Sequence, residues 1–182
     1  MTSAVRPLEA DDELEAFDSG ADDLDRWLKT QAHLSQQRDA ARVYVVESEG
    51  RVIGYSALVA ATIGRDDVSS GLGGGLSMIP AVLLGKLAVD RSAHGAGLGT
   101  RLLRHAVRTS LDVRRLIGAR LLVAHARDDS ARSWYQHIGM RCLADGRTLV
   151  KAAVAALRLC RPSHASPPTG RRRPAAAAAC LM

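Results

Sequence analysis

Three patterns in the sequence predict a mixed α/β domain, with a central sheet of about six or seven strands flanked by helices. Two alternating, valine-rich segments face each other across Glu49-Gly50, the pattern of a β-hairpin. Two near-continuous apolar runs, Ala81–Val89 and Leu121–Ala126, are each followed by a helical repeat, the order of a strand–helix–strand unit. The chain has 182 residues, 47% of them apolar, enough for one such domain with an ordinary core and some surplus.

Each element follows from local chemistry. Residues 5–8 suit a short edge strand, where Pro7 is tolerated. Asp18-Ser19-Gly20 breaks the chain, and residues 21–37 then read as an amphipathic helix with an apolar stripe of Leu24, Trp27, Leu28 and Leu34. Arg42–Ser48 and Arg51–Thr62 are the hairpin strands. Residues 63–79 hold Gly71, Gly73, Gly74 and Gly75 and predict a mobile loop with little to pack. After Pro80, the run Ala81–Val89 has the composition of a strand buried on both faces.

A long helix follows from about Leu98 to Ile117, its stripe formed by Leu98, Leu102, Leu103, Ala106, Val107, Leu111 and Leu116. Leu121–Ala126 is another buried strand. Asp128 or Asp129 then caps a helix that runs to His137 and ends at Gly139. Two short strands near 140–144 and 147–152 complete the sheet. The domain spans residues 1–157, and residues 158–182 form an Arg-, Pro- and Ala-rich tail whose composition predicts disorder.

Composition narrows the function. No stretch approaches the roughly 20 apolar residues of a membrane span, and the acidic start does not resemble a secretory signal. The three cysteines, Cys142, Cys160 and Cys180, show neither a disulfide framework nor metal-ligand spacing, so a reducing cytoplasm is expected. Net charge is +6, but unevenly spread: residues 1–25 hold nine Asp/Glu and one Arg, leaving 24 basic residues against 10 acidic ones. An acidic start on a basic body suits a polyanionic partner; it equally suits solubility and a coding bias toward Arg.

The most informative segment is Leu87-Ala88-Val89-Asp90-Arg91-Ser92-Ala93-His94-Gly95-Ala96-Gly97-Leu98-Gly99-Thr100. It joins a buried strand, a glycine-rich turn and a long helix. Backbone amides at such a helix start are unpaired and sit at the positive end of the helix dipole. Glycines let the main chain approach a pyrophosphate closely. A P-loop requires Lys and then Ser or Thr after its last glycine, and a dinucleotide fold requires its glycines after the first strand. Neither pattern is met here.

This segment resembles the coenzyme-A pyrophosphate loop of the GNAT acetyltransferases, Arg/Gln-x-x-Gly-x-Gly/Ala. His94 stands at the Arg/Gln position, and Gly97 and Gly99 are the glycines. The resemblance implies acetyl-CoA as acetyl donor, no metal, and a GNAT fold splayed at the cofactor strand. Leu87, Ala88 and Val89 would pair with the pantetheine arm, and His94, Gly95, Ala96, Gly97, Leu98, Gly99 and Thr100 would hold the pyrophosphate.

Residues Asp128 to Met140 similarly resemble the GNAT helix that reads Ala-x-x-x-Tyr, and Tyr135 matches the tyrosine near the acetyl-CoA sulfur. A free thiol titrates near 8.5, so a phenol with a pKa of about 10 is able to protonate a departing thiolate. Without the upstream loop, Tyr135 would read as a core aromatic. His94, His105, His125 and His137 show no metal pattern and read as structural or exposed. No Glu stands in an obvious base position in Ala81–Val89. An α-amino group titrates near 8, and esterification of its carboxyl lowers that further, so an aminoacyl ester needs little deprotonation.

Roughly Ala4 to Val150 is similar to a narrower group, the TacT-like GNAT toxins of type II toxin–antitoxin systems. The similar stretches are Phe17-Asp18-Ser19-Gly20 leading into Leu24-Asp25-Arg26-Trp27-Leu28, then Ala40 to Val46, Ile79 to Asp90, and Ala124-His125-Ala126. The resemblance implies an enzyme that acetylates the amino acid on charged elongator tRNA and stops translation. It also implies a homodimer and a neutralising ribbon–helix–helix antitoxin. Arg26, Lys29, Arg38, Arg42 and Arg91 are the candidates to hold the tRNA phosphates. No Arg or Lys lies between Asp66 and Ile79, where a tRNA contact would be welcome. An ordinary GNAT enzyme acting on a small amine or a protein N-terminus is the second reading. A non-catalytic nucleic-acid-binding module is the third.

Overall fold

The structure, a computed structural model, describes residues 4–68, 72, 74–143, 145–146, 148–152 and 179–180. Its elements are β1 (Arg6–Pro7), α1 (Asp22–Gln37), β2 (Arg42–Ser48), β3 (Arg51–Gly64), β4 (Met78–Val89), α2 (Leu98–Ile117), β5 (Leu121–His125), α3 (Asp129–His137), β6 (Arg141–Cys142), β7 (Thr148–Ala152) and β8 (Ala179–Cys180). Eight strands form one mixed sheet in the order β1-β2-β3-β4-β5-β7-β6, with β8 paired to β4. The mixed α/β architecture is the expected one. The strand beyond the expected seven is β8, two residues in the segment whose composition predicted disorder.

β2 and β3 form the expected hairpin. Glu49 and Gly50 turn it with φ of 54° and 77°, the two positive values that match the twist of the flanking strands. β3 and β4 form a second and longer hairpin, registered from Gly54↔Val89 to Gly64↔Met78. The sequence placed a mobile loop over much of this turn, and the structure corrects that. Ile63 pairs with Ile79, and beyond the strands Val68 and Leu72 are buried with Ile79, Leu83 and Val123 in a small apolar cluster. β-Branched residues at the strand ends outweighed the glycines.

The two faces of the sheet carry separate cores. On one, α1 packs Leu24, Leu28 and Ala32 at helical spacing against Val43, Val45, Tyr55 and Ala88. The Tyr55 hydroxyl donates to the Leu24 carbonyl at 2.9 Å, so a buried polar group is satisfied. Asp25 is also buried and accepts from the Ser19 amide and hydroxyl, which fixes the entrance to α1. Leu34 is 37% exposed and lies at the margin of the stripe.

On the other face, Leu98, Leu102, Leu103, Ala106 and Val107 of α2 share a core with Leu84, Leu87, Val89, Leu122 and Ala124. The periodicity extended this stripe to Leu116, but Leu116 and Ile117 are each 80% exposed because α2 overhangs the sheet at its end. α3 begins where predicted, with Asp128 accepting from the Ala131 amide at 2.7 Å. Of the predicted tail, all but Ala179 and Cys180 of β8 lies outside the described residues. Among those residues, no helix is long and apolar enough to cross a membrane. Because Leu102 is fully buried and Leu116 is not, Leu102→Ala is expected to cost about 2–5 kcal/mol of unfolding free energy. Leu116→Ala is expected to stay within about 0.5 kcal/mol; urea midpoints of the two variants check the difference.

Candidate active site

The site begins with a defect in the sheet. The register of β3 against β4 slips between Ala57 and Leu58, so Gly85 has no partner while Leu84 and Lys86 do. Such a β-bulge bends its strand and changes its direction. The parallel pairing of β4 with β5 runs from Ala81↔Leu121 to Leu84↔Ala124 and stops there, at the bulge. Beyond it β4 continues through Leu87, Ala88 and Val89 without β5, and the two strands part. The edge that opens at Lys86 and Leu87 is where β8 pairs, so its backbone groups are available to an extended partner.

β4 leads directly into the glycine-rich loop. Gly97 is the residue before α2 and has φ of 78°, and Gly95 has φ of 79°. Both values favour glycine, and a Cβ at either position would meet nothing within 4 Å. The first intrahelical bond of α2 runs from the Arg101 amide to the Gly97 carbonyl. The amides of Gly97, Leu98, Gly99 and Thr100 therefore precede the helical ladder, and no side chain caps them. Leu98 and Gly99 are buried by α2 packing, so these residues act through their main chain. The result is an anion cradle: four open amides at a helix dipole, with free space in front.

Two anchors hold the cradle in place. The His94 ring donates through Nε2 to the Val89 carbonyl at 2.8 Å, because a carbonyl only accepts. His94 thus straps the loop to the end of β4. Asp90, 4% exposed, accepts from the Ser92 amide at 2.9 Å, the Ser92 hydroxyl at 2.6 Å and the Asp18 amide at 3.0 Å. The Arg91 amide returns a bond to the Asp18 carbonyl at 2.8 Å. Burial pushes the Asp90 carboxyl up. The hydrogen bonds from Ser92 and Asp18, with the charge of Arg51, outweigh it and hold the carboxyl below its ordinary value. The sequence reading missed Asp90 as a site residue. Asp-x-Ser signals the local turn, but the partner Asp18 lies 72 residues away.

Tyr135 lies on α3 and is 1% exposed. It shares the α2-side core with Leu87, Val89 and Leu98, so the fold brings it together with the open strand and the loop. Trp134 stacks edge-on against it, ring centroids 4.9 Å apart. On the opposite side of the parted strands, Lys86 is buried with its ammonium 5.4 Å from the Trp27 ring centre. Arg127, just past β5, reaches across to Asp23 in the first turn of α1 at 2.8 Å.

The five basic candidates do not form one patch. Arg38 and Arg42 lie at the C-terminal end of α1, about 18 Å along the helix from Arg26 near its start. Arg42 is paired with Asp39 at 2.7 Å and Arg91 with Asp18 at 3.4 Å. Arg26 is exposed and Lys29 half-buried on α1. Of the histidines, His105 packs against Tyr44 at 4.3 Å, His125 contacts the Thr148 hydroxyl at 3.1 Å, and His137 is exposed. Among the described residues, no group of three His, Cys, Asp or Glu is placed to hold a metal.

A strand that parts from its neighbour, an open helix start at its end and a phenol buried in the core they share suit a phosphate-bearing ligand laid along a strand edge. The chain belongs to the GNAT acetyltransferases: the acetyltransferase (GNAT) domain family matches residues 39–141. It is 34% identical over 136 residues to a tRNA-acetylating toxin of Mycobacterium tuberculosis (strain ATCC 25618 / H37Rv), a match covering 74% of this chain and 82% of that protein. Among solved structures it is similar to AtaT complexed with acetyl-methionyl-tRNAfMet, at TM-score 0.80 and 25% identity, over 87% of this chain and 99% of that one. It is also similar to a mutant AtaT toxin bound to the C-terminus of the antitoxin AtaR and acetyl-CoA, at TM-score 0.77 and 25% identity, over 88% and 98% of the two chains.

The Asp90 anchor has a pH signature. A carboxyl held low in the folded state contributes stability that is present above its unfolded pKa, near 4, and is lost as pH falls through the folded value. Asp90→Asn is expected to lose part of this stability at pH 7 and to flatten the acid limb of the stability curve below about pH 4. Thermal melts of both proteins from pH 7 to pH 2.5 check this, and parallel curves contradict it.

Proposed function

We propose that this chain transfers the acetyl group of acetyl-CoA to the α-amino group of an aminoacyl-tRNA and so arrests translation. The observation that carries the donor side is the cradle of four open amides following the stretch of β4 that has left β5 and is bordered by the two residues of β8. A pyrophosphate fits amides at a helix start, and a pantetheine arm fits the strand edge that β5 leaves, once the two residues of β8 give it up. Leu87, Ala88 and Val89 line the arm, and Gly95 to Thr100 hold the phosphates. His94 acts differently from the sequence reading, by fixing the loop from behind. Acetyl-CoA supplies a thioester-activated acetyl group, and no metal is required.

Tyr135 is the proton donor to the departing thiolate. Its burial among apolar groups keeps the phenol from exchanging its proton with bulk water. β4 from Ala81 to Val89 offers no carboxylate or imidazole as a base. That suits an acceptor already largely neutral at pH 7, as an aminoacyl ester is and a lysine side chain is not. The likeness to a tRNA-acetylating toxin and to AtaT complexes with acetyl-methionyl-tRNAfMet and with AtaR supports the tRNA substrate. It also supports neutralisation by an antitoxin, for which a ribbon–helix–helix protein is proposed, together with assembly of this chain as a homodimer. Arg26, Lys29 and Arg38 remain available to phosphates, whereas Arg42 and Arg91 must first leave their carboxylates.

The deciding experiment offers purified protein acetyl-CoA with charged tRNA, uncharged tRNA and an amino acid amide. Acetylation confined to charged tRNA supports the proposal, and acetylation of the free amide alone refutes the tRNA substrate. Ala96→Asp, which puts a carboxylate in front of the cradle without requiring positive φ, is expected to weaken acetyl-CoA binding at least about tenfold at unchanged melting temperature. Calorimetry checks it. Tyr135→Phe should retain acetyl-CoA affinity but lose on the order of 10²–10⁴-fold in kcat. Near-normal turnover would make Tyr135 a packing residue.

A further inference from the structure

The long helix presents a second basic surface, which borders the cradle only at its foot. Arg101, Arg104 and Arg108 fall at i, i+3 and i+7 of α2 and therefore share one face, neighbours about 5–6 Å apart. This face turns toward the first hairpin, because His105 beside it packs on Tyr44 of β2. At its foot a cavity of about 700 Å³ opens between α2, the loop and the β2–β3 turn, lined by Ala96, Gly97 and Leu98 of the cradle as well as by Glu49, Arg51 and Arg101. Glu49 is the one carboxylate in that lining.

Among the described residues, Arg51, Arg104 and Arg108 make no ion pair with a carboxylate, in contrast to Arg42, Arg91, Arg127 and Arg132. The Arg104 Nε is buried without a hydrogen-bond partner. Two guanidiniums without a carboxylate on one helix face, Arg104 and Arg108, repel one another in the free protein, and a ligand with several negative charges relieves this. No large apolar side chain is exposed between Arg101 and Arg108; those of α2 are Leu116 and Ile117 at its far end. A peptide partner is normally anchored by such groups, whereas a phosphate backbone is not.

We infer that this face of α2, with Arg51 beyond its foot, binds the phosphate backbone of the RNA substrate. The inference rests on the tRNA reading of the function and adds a surface separate from the α1 residues. Phosphate contacts from α2 would hold the nucleic acid beside the pyrophosphate loop without reading its sequence.

The test uses the full chain and measures binding of charged tRNA between 50 and 200 mM salt, conditions over which phosphate contacts are resolved. Arg51→Gln/Arg104→Gln/Arg108→Gln is expected to weaken binding at least about tenfold and to lower the slope of log K against log salt by about 2–3. The same three positions changed to Lys should keep most of the slope. Because Arg104 is half-buried, the pair Arg51→Gln/Arg108→Gln, both fully at the surface, should lower the slope by about 1–2. In Arg108→Gln alone, which does not line the cradle's cavity, acetyl-CoA affinity and acetylation of an amino acid amide should not change. Wild-type affinity and slope in both the triple and the double Gln variants overturn the inference, as does selective loss of the antitoxin with tRNA binding intact. A wild-type protein that acetylates the amide but neither binds nor acetylates charged tRNA instead removes the substrate reading itself.

Discussion

The structure depends on the bulge at Gly85. A sheet of this kind gains by pairing every interior strand edge, since an unpaired buried amide or carbonyl is costly. β4 is paired along one side throughout, but the extra residue turns it away from β5 after Leu84. What the parting forfeits in ladder hydrogen bonds becomes an edge able to receive an extended ligand. The same bend aims the end of β4 at the start of α2, so the edge and the anion cradle lie in one line. Without the bulge the two strands would continue as a closed parallel pair, and the glycine loop would face nothing but solvent.

A cradle of bare amides works only if its geometry is held in advance, because amides that must first be ordered lose their advantage to entropy. Asp90 provides that order. Its carboxylate gathers the Ser92 amide and hydroxyl on one side and the Asp18 amide on the other. Desolvating a carboxylate to this degree is unfavourable by itself, and the three donors more than offset it. The bond to Asp18 also ties the loop to the segment that leads into α1, whose other anchor is the buried Asp25. The glycine-rich loop and the entrance to α1 are thus braced against one another through two aspartates.

Charge follows the same division. The acidic residues crowd before and into the first turn of α1, where Asp22, Asp23 and Asp25 favour the helix dipole and Asp23 holds Arg127 across the cleft. The basic residues lie around them: on α2, on the hairpin turn, and along the exposed side of α1. An uneven sequence balance therefore becomes an acidic brace within a basic surface. This arrangement suits a polyanion that must approach without being repelled from the mouth of the cleft.

The sequence by itself determined the elements whose signals are local. The period of α2, the alternation of β2, the Asp128 cap and the Gly95–Gly99 loop depend on neighbours within a few residues, and each stands where the pattern placed it. It also placed the glycines of the loop, whose positive φ the structure then showed at Gly95 and Gly97. The tertiary structure alone decided the rest. Whether Leu116 is covered depends on where the sheet ends, and whether the glycine-rich turn packs depends on Ile79, Leu83 and Val123 being there to receive Val68 and Leu72. His94 was legible as a loop residue but not as a strap, because its partner is a backbone carbonyl. Arg42 and Arg91 read as free charges until Asp39 and Asp18 were seen beside them. Spacing along a chain reports which residues can share a face, whereas pairing, burial and the parting of two strands depend on groups brought together from distant parts of it.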